Sequence, residues 1–422
     1  MTPAFKAFGI KELSSISQLN SIDQRFIDDI KVASEVYPFK TNNYVVDNLI
    51  DWNHWETDPI FRLNFPDRKM LTDNVYEKIK KSKGHIPEIE YKNLIHDIRL
   101  SLNPHPAGQM DLNTPYFDSM RLEGLQHKYQ KTVLFFPGQG QTCHAYCTFC
   151  FRWPQFINDS NLKIQAREIE SLLIYLRENP QISEVLLTGG DPLIMNSHTL
   201  SKYILPILEI PHIRTIRIGT KALSYWPFKF VTDNDANQIL QLFNNVIAGG
   251  KHLAIMAHFN HPVELSTSII REAIARLTEI GVTIRSQGPL LKHINNSAGV
   301  WSEMWELQVH LGCIPYYMFL PRDTGAQHYF SETLQNAHRI FTDAIQNTTG
   351  LCRTVRGPIM SVTQGKLELL DVQDDKFFLR YIQHRDPKMA YKVFLARSKR
   401  PDPIWFDDLA PYDNSFDSFF KL

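Results

Sequence analysis

Six short β-type runs recur between about residue 131 and residue 330, and this alternation constrains the fold more than any other feature. They are Thr132–Phe136, Glu184–Thr188, Thr215–Gly219, Leu253–His258, Thr283–Ser286 and Tyr316–Leu320. Between them lie segments whose apolar residues keep helical spacing: Ala166–Glu178, Thr199–Glu209, Asp235–Val246, Thr267–Ile280 and Val300–Leu311. Strands alternating with helices imply an α/β fold with a parallel sheet, because a parallel strand can be reached only by a crossover. Six strands suit an open sheet or an incomplete (β/α)6 barrel better than a closed eight-stranded one. In either case the chemistry belongs on loops at the C-terminal ends of the strands.

The flanking text differs. Residues 1–125 are polar and punctuated, with helices predicted at Ser21–Val36 and Asp73–Lys83 and a Pro/Gly-rich loop at Asn103–Gly108. They read as a helical N-terminal region packed on the part at 126–330. Residues 331–422 open with a helix near Ser331–Gln346 and turn β-rich around Cys352–Arg356, Lys366–Val372 and Phe377–Ile382. The end, Asp402–Leu422, mixes acids with Trp405, Phe406, Phe416, Phe419 and Phe420. Such a tail can pack on the body, pair with a partner subunit or stay loose. No apolar run nears the roughly 20 residues of a membrane span. Lys+Arg (45) balances Asp+Glu (45), so no global field draws the chain to nucleic acid or an anionic membrane.

The chemistry-bearing feature follows the first β-type run. Three of the five cysteines, Cys143, Cys147 and Cys150, fall within Cys143-His-Ala-Tyr-Cys147-Thr-Phe-Cys150. Thiols three or four residues apart are better placed to grip one metal centre than to staple distant segments, which points to a reduced, cytoplasmic compartment. Structural zinc would need a fourth ligand, for which His144 is available. A cubane iron–sulfur cluster on three thiolates instead leaves one iron open to a small molecule. Cys313 and Cys352 stand alone and read as buried apolar residues.

Cys-x3-Cys-x2-Cys after the first strand, with Tyr146 and Phe149 before the second and third cysteines, resembles the radical S-adenosylmethionine superfamily. The resemblance implies a 4Fe–4S cluster on Cys143, Cys147 and Cys150, whose open iron chelates S-adenosylmethionine and cleaves it to a 5′-deoxyadenosyl radical. It also implies an external electron donor such as flavodoxin or ferredoxin. Further stretches narrow the resemblance to the lysine 2,3-aminomutase family: Leu187-Thr-Gly-Gly-Asp-Pro-Leu, Ile213–Thr220, Ala257-His-Phe-Asn260, Gln287 through Asn295-Asn-Ser, and Pro315-Tyr-Tyr. Their order holds over roughly 127–330. By this resemblance Gly189, Gly190, Asp191, His258 and Gln287 contact S-adenosylmethionine, and Arg152 pairs with a substrate α-carboxylate. The residues agree. Gly189 and Gly190 let backbone approach a ligand with Asp191 pointing at it, while His258, Asn260 and Gln287 end successive strands on one rim. His261 and Glu264, just beyond, read as a solvated loop.

The sequence also departs from that family, whose pyridoxal phosphate is held by a lysine after a run of glycines. Here only Gly365-Lys366 survives of that run, so Lys366 is the candidate cofactor lysine; the alternative is a turn residue beside a β-type run. His127-Lys-Tyr129 is similar to the family's His-Arg-Tyr and places Tyr129 near the cofactor, but the family's arginine three residues on is Thr132. Two aspartates that grip the distal ammonium in lysine-specific relatives fall at Arg356 and at Arg322, or at Asp323 if one residue is gapped. An arginine facing an ammonium is repulsive, whereas one facing a carboxylate is favourable. The expectation is a radical enzyme, an isomerase of the aminomutase type, acting on an amino-acid-like small molecule with an anionic distal group. A pyridoxal-phosphate-independent epimerase, dehydrogenase or lyase is the alternative, with a non-enzymatic iron–sulfur sensor as the contrasting class. The sequence leaves self-association open.

Overall fold

All six sequence-predicted strands form, and they lie side by side in the order in which the chain supplies them. The computed structural model describes residues 3–157 and 159–421. One twelve-stranded sheet runs in chain order. Its strands are β1 (Leu125–Tyr129), β2 (Thr132–Phe135), β3 (Glu184–Leu187), β4 (Thr215–Thr220), β5 (His252–His258), β6 (Thr283–Pro289), β7 (Ile314–Phe319), β8 (Arg356–Ser361), β9 (Gly365–Gln373), β10 (Lys376–His384), β11 (Val393–Ser398) and β12 (Leu409–Pro411). Every pair from β2 to β8 is parallel. The outer pairs, β1–β2 and β8 through β12, are antiparallel.

The longer helices of the N-terminal region are α1 (Gln24–Val36), α2 (Asp73–Ser82) and α3 (Glu88–Ser101). Six more fill the parallel crossovers: α4 (Glu170–Glu178), α5 (Ser197–Leu208), α6 (Ala236–Ala248), α7 (Ser268–Glu279), α8 (Ala298–His310) and α9 (Leu334–Gln346). Six consecutive strand–helix units result, β2–α4 through β7–α9. Where the starts are sharp the local chemistry explains them: Thr72 caps α2, Asn196 caps α5 and Thr333 caps α9, each side chain accepting from a backbone N–H of the first turn.

Alternate residues of the strands serve different surfaces. Val133, Phe135, Val185, Leu187, Ile216 and Ile218 are buried among helix residues such as Leu176, Ile204, Phe243 and Leu277. The intervening residues, among them Glu184, Arg217, Arg285 and Gln287, are only partly buried and form the opposite face. A second core lies in the N-terminal region, where Val45, Ile60, Phe61 and Phe65 pack together with Ala145, Trp226, Leu291 and Phe330 from the rim of the sheet. Cys313 and Cys352 are buried in the main core, as their isolation implied. Among the described residues no helix is long and apolar enough to cross a membrane.

The aromatic tail packs on the body. Phe419 stacks on Phe394 of β11 at 4.5 Å and Phe420 meets the same ring edge-on at 5.7 Å, while within the tail Phe420 stacks on Phe406 at 4.7 Å between ring centroids. The strand–turn text around Cys352–Arg356 is instead a 3-10 turn, Gly350–Thr354, and β8 begins only at Arg356.

Candidate active site

The cysteine loop leaves β2 and is held by the N-terminal region. Tyr146 N–H donates to Lys40 O at 2.7 Å and Thr148 N–H to Leu63 O at 2.9 Å. Asn42 Nδ2 donates to His144 O at 3.2 Å and to Tyr225 O at 2.9 Å. Lys40 Nζ donates to Cys143 O at 2.7 Å. All five cysteines are free thiols. Burial pushes Cys143 well above the ordinary thiol range and Cys150 up to about 12, with mutual repulsion among the three as a further cause. A bound cation reverses that balance, since a coordinating thiol is deprotonated outright. Among the described residues no three His, Cys, Asp or Glu side chains converge on a point that one ion would occupy. A cubane puts each thiolate on a different iron, so the donor set fits a cluster better than a single zinc. His144, the fourth zinc ligand that was available, packs edge-on against Phe5 at 5.8 Å.

The loop after β3 lies against the cysteine loop so closely that glycine is required. Gly189 has φ +139°, and a Cβ at Gly190 would stand 2.5 Å from Thr142 O and 2.6 Å from Thr142 N. Asp191 is 1% exposed, and its carboxylate accepts from Thr220 Oγ1 at 2.7 Å, Lys221 N at 2.8 Å and Leu193 N at 2.9 Å. It welds the ends of β3 and β4 together. His258 and Gln287 are direct neighbours across β5 and β6. His258 Nε2 and Asn260 Nδ2 are buried with no protein partner, which fits a polar ligand on this rim. Burial and Lys221 hold the His258 imidazole well below its usual range, hence neutral. Glu264 corrects the solvated-loop expectation: it is wholly buried, pairs with Lys221 and accepts from Asn260 N at 2.5 Å and His261 N at 3.0 Å.

A line of residues leads inward from Cys150. Arg152 Nη1 donates to Thr188 Oγ1 at 2.5 Å and Gly189 O at 3.2 Å. Burial lowers its guanidinium to about 10, with repulsion from Arg322 contributing. Arg152 and Arg322 both lie over the Phe151 ring, at 5.1 and 5.2 Å. Arg322 Nε and Asp323 Oδ1 are both buried without a partner, while Arg322 Nη2 donates to Pro106 O at 3.2 Å and Asp323 Oδ2 accepts from Asn103 Nδ2 at 3.0 Å. Of the two, Arg322 is the one that shares the Phe151 ring with Arg152. Arg322 neighbours Tyr129, and Lys366 Nζ lies 5.7 Å from the Tyr129 ring and 4.8 Å from Tyr317. Lys366 is the second residue of β9, past the turn, paired with Ser361 and Gln383. Burial and Arg217 lower its ammonium to about 7, with Glu184 opposing. A half-neutral buried amine suits attack on a carbonyl, so the residue fits a pyridoxal phosphate lysine. Arg356 does not fit its expected role: it is exposed and donates to Tyr391 Oη at 3.2 Å. β8 begins at this residue, which explains why it lies outside.

No family model matches the chain. An Aquifex aeolicus protein provisionally named L-lysine 2,3-aminomutase is 33% identical over 395 residues, 92% of this chain and 94% of that protein. The chain belongs to the lysine 2,3-aminomutase family, within the radical S-adenosylmethionine superfamily. A Methanococcus maripaludis L-lysine 2,3-aminomutase is 25% identical over 81% of this chain and 69% of its own length. A Clostridioides difficile glutamate 2,3-aminomutase is 30% identical over 50% of this chain and 47% of its own length.

Membership makes the residues that sequence reasoning missed more informative. Lys40, Asn42 and Leu63 hold the cysteine loop of this aminomutase relative from a region with no motif at all. Lys221, buried on the rim, donates to Asn260 Oδ1 at 3.0 Å and pairs with Glu264. Its signal was present in the text, since it directly follows the family-like Ile213–Thr220 stretch. Lys128 and Arg385 approach Lys366 from β1 and from beyond β10, and only the first lies in a recognisable motif.

Proposed function

We propose that the protein is a radical S-adenosylmethionine enzyme of the aminomutase type acting on an amino acid with an anionic distal group, glutamate-like molecules being the simplest case. The strands β2 to β7 and the helices between them, within residues 126–330, are read as an incomplete (β/α)6 barrel whose open side holds the site. The observation that carries the proposal is the continuous line Cys150, Arg152, Phe151, Arg322, Tyr129, Lys366. A cluster site stands at one end, a depressed lysine at the other, and two guanidiniums share one aromatic ring between them.

Cys143, Cys147 and Cys150 would hold the 4Fe–4S cluster, which with S-adenosylmethionine supplies a 5′-deoxyadenosyl radical for hydrogen abstraction. Lys366 would hold pyridoxal phosphate, which supplies a conjugated carbonyl through which an amino group can shift. The chain's own part is positioning. Arg152 leaves Nε and Nη2 without protein partners among the described residues and can take the substrate α-carboxylate as a fork. Arg322, with Nε unpaired, takes the distal anion. Neutral His258 offers a ring nitrogen to S-adenosylmethionine beside Gln287. A dicarboxylic amino acid satisfies both arginines, whereas lysine would leave one cation facing another. The free thiols accord with the cytoplasm, with reducing equivalents delivered by a flavodoxin- or ferredoxin-type donor.

The test is deuterium transfer into 5′-deoxyadenosine from deuterated glutamate and lysine, using anaerobically reconstituted protein. Transfer from glutamate is expected, with a loss of about tenfold or more in Arg322→Asp. Efficient transfer from lysine by the native protein would overturn the substrate reading.

A further inference from the structure

Thr132 stands where the family resemblance calls for an arginine, and its hydroxyl is committed to Glu184 Oε1 at 2.8 Å. A cation is nevertheless present beside Tyr129. Lys128 Nζ and Lys366 Nζ each lie 5.7 Å from the Tyr129 ring centroid. Arg385, on the segment after β10, stands next to Lys128. Both donate into the turn that joins β8 to β9: Lys128 to Val362 O, and Arg385 Nε to Thr363 O at 2.8 Å. The backbone N–H of Arg385 donates to Gln364 O at 2.9 Å. The turn that delivers Lys366 is thus gripped by two cations.

A cavity of about 280 Å³ opens on them, lined by His127, Lys128, Tyr129, Gln130, Arg385 and Pro387. Arg385 also donates to Leu112 O at 3.2 Å and to Asn113 Oδ1, which leaves two of its five N–H groups for a ligand. Among the described residues no carboxylate pairs with Lys128 or Arg385, and Lys128 is repelled by Arg322, Arg385 and Lys366. Burial and these like charges push the Lys128 ammonium down to about 6. Unpaired cations crowded this way are costly, and a multiply charged anion between them removes the cost.

We propose that Arg385, with Lys128, clamps the phosphate group of pyridoxal phosphate, supplying from the C-terminal strands the cation that is missing at Thr132. The inference rests on the reading of Lys366 as the cofactor lysine. Aldehyde-side and phosphate-side residues then both border Tyr129.

Binding of pyridoxal phosphate and of phosphate-free pyridoxal to the reconstituted full-length protein tests this, read by absorbance and by borohydride trapping with peptide mapping. Arg385→Met is expected to weaken pyridoxal phosphate binding about ten- to hundredfold while pyridoxal binding stays within about twofold. Arg385→Lys, which keeps the charge and guards against a folding defect, is expected to recover part of the loss. Inorganic phosphate should compete in the native protein and less in Arg385→Met. Unchanged pyridoxal phosphate affinity in Arg385→Met, with Lys366 still labelled, overturns this inference alone. No label at Lys366 in the native protein overturns the cofactor reading, and this inference with it.

Discussion

Lys366 concentrates the residue-scale argument, because its environment sets its chemistry. Only the neutral amine attacks a carbonyl, so trapping of pyridoxal phosphate at Lys366 should rise with pH through about 7 and then level off. Glu184 is the charge that holds the amine's affinity for its proton up and Arg217 the one that lowers it, so Glu184→Gln should move the midpoint down and Arg217→Met up. A midpoint indifferent to both would mean that burial alone sets it. The same depression has a stability consequence. The folded value lies below the unfolded 10.5, so the penalty is full below pH 7 and fades as pH climbs towards 10.5. Lys366→Met should therefore melt higher than native protein at pH 6, and the gain should shrink at pH 10. At this scale motifs mark the candidates: the three cysteines, Arg152, His258, Gln287 and Lys366 each stand in a stretch that the sequence singles out. Nothing local reveals that Thr220 and Lys221 hold the Asp191 carboxylate. Nor does anything local reveal that Arg356 is exposed while Arg322 Nε is buried, since both depend on contacts distant in sequence.

At the scale of elements, the six parallel strands were legible because each is a short run rich in apolar or β-branched residues between helical segments. The seventh, β8, was not, since Gly357-Pro358 inside Arg356–Ser361 reads as a turn. Helix α3 was missed for a similar reason: it starts after Pro87 with no side-chain cap, so the usual start signal is absent. The role of the N-terminal region could not be read at all, because its work is done largely by backbone carbonyls. Lys40 O and Leu63 O receive the cysteine loop, and Asn42 links His144 O to Tyr225 O while its Oδ1 accepts from Val45 N at 3.0 Å. Asn42→Ala removes three hydrogen bonds at once and leaves buried carbonyls unpaired. A loss of about 2 kcal/mol in stability is expected. Iron release to a chelator should also quicken relative to native protein, since the loop carrying Cys143 to Cys150 loses its brace. If the melt falls while iron release is unchanged, Asn42 serves the fold and not the cluster.

Taken as a whole, the molecule is built around one continuous sheet, β1 to β12, and that continuity links the chain's last residues to its proposed chemistry. Tyr381 Oη donates to Phe419 O at 2.8 Å, and Gln364 Nε2 donates to Phe420 O at 3.2 Å. Gln364 belongs to the turn that precedes Lys366, whose other carbonyls receive Lys128 and Arg385. The tail therefore braces the outer side of the turn that presents the candidate cofactor lysine. Its composition, acids among aromatics, gave no means of choosing between packing on the body and reaching a partner, because the ring-on-ring contacts that decide it are with Phe394, in a strand outside the tail. Truncating the ring at Phe419, which is 8% exposed, should cost about 3 kcal/mol and lower the melting temperature. If the brace acts on the site, Phe419→Ala should also lower the yield of pyridoxal phosphate trapped at Lys366 when the cofactor is limiting, at temperatures well below its melt. Phe419→Leu, which keeps most of the apolar volume, should restore both. A variant that melts early yet traps cofactor as the native protein does would show that the tail stabilises the sheet without shaping the turn.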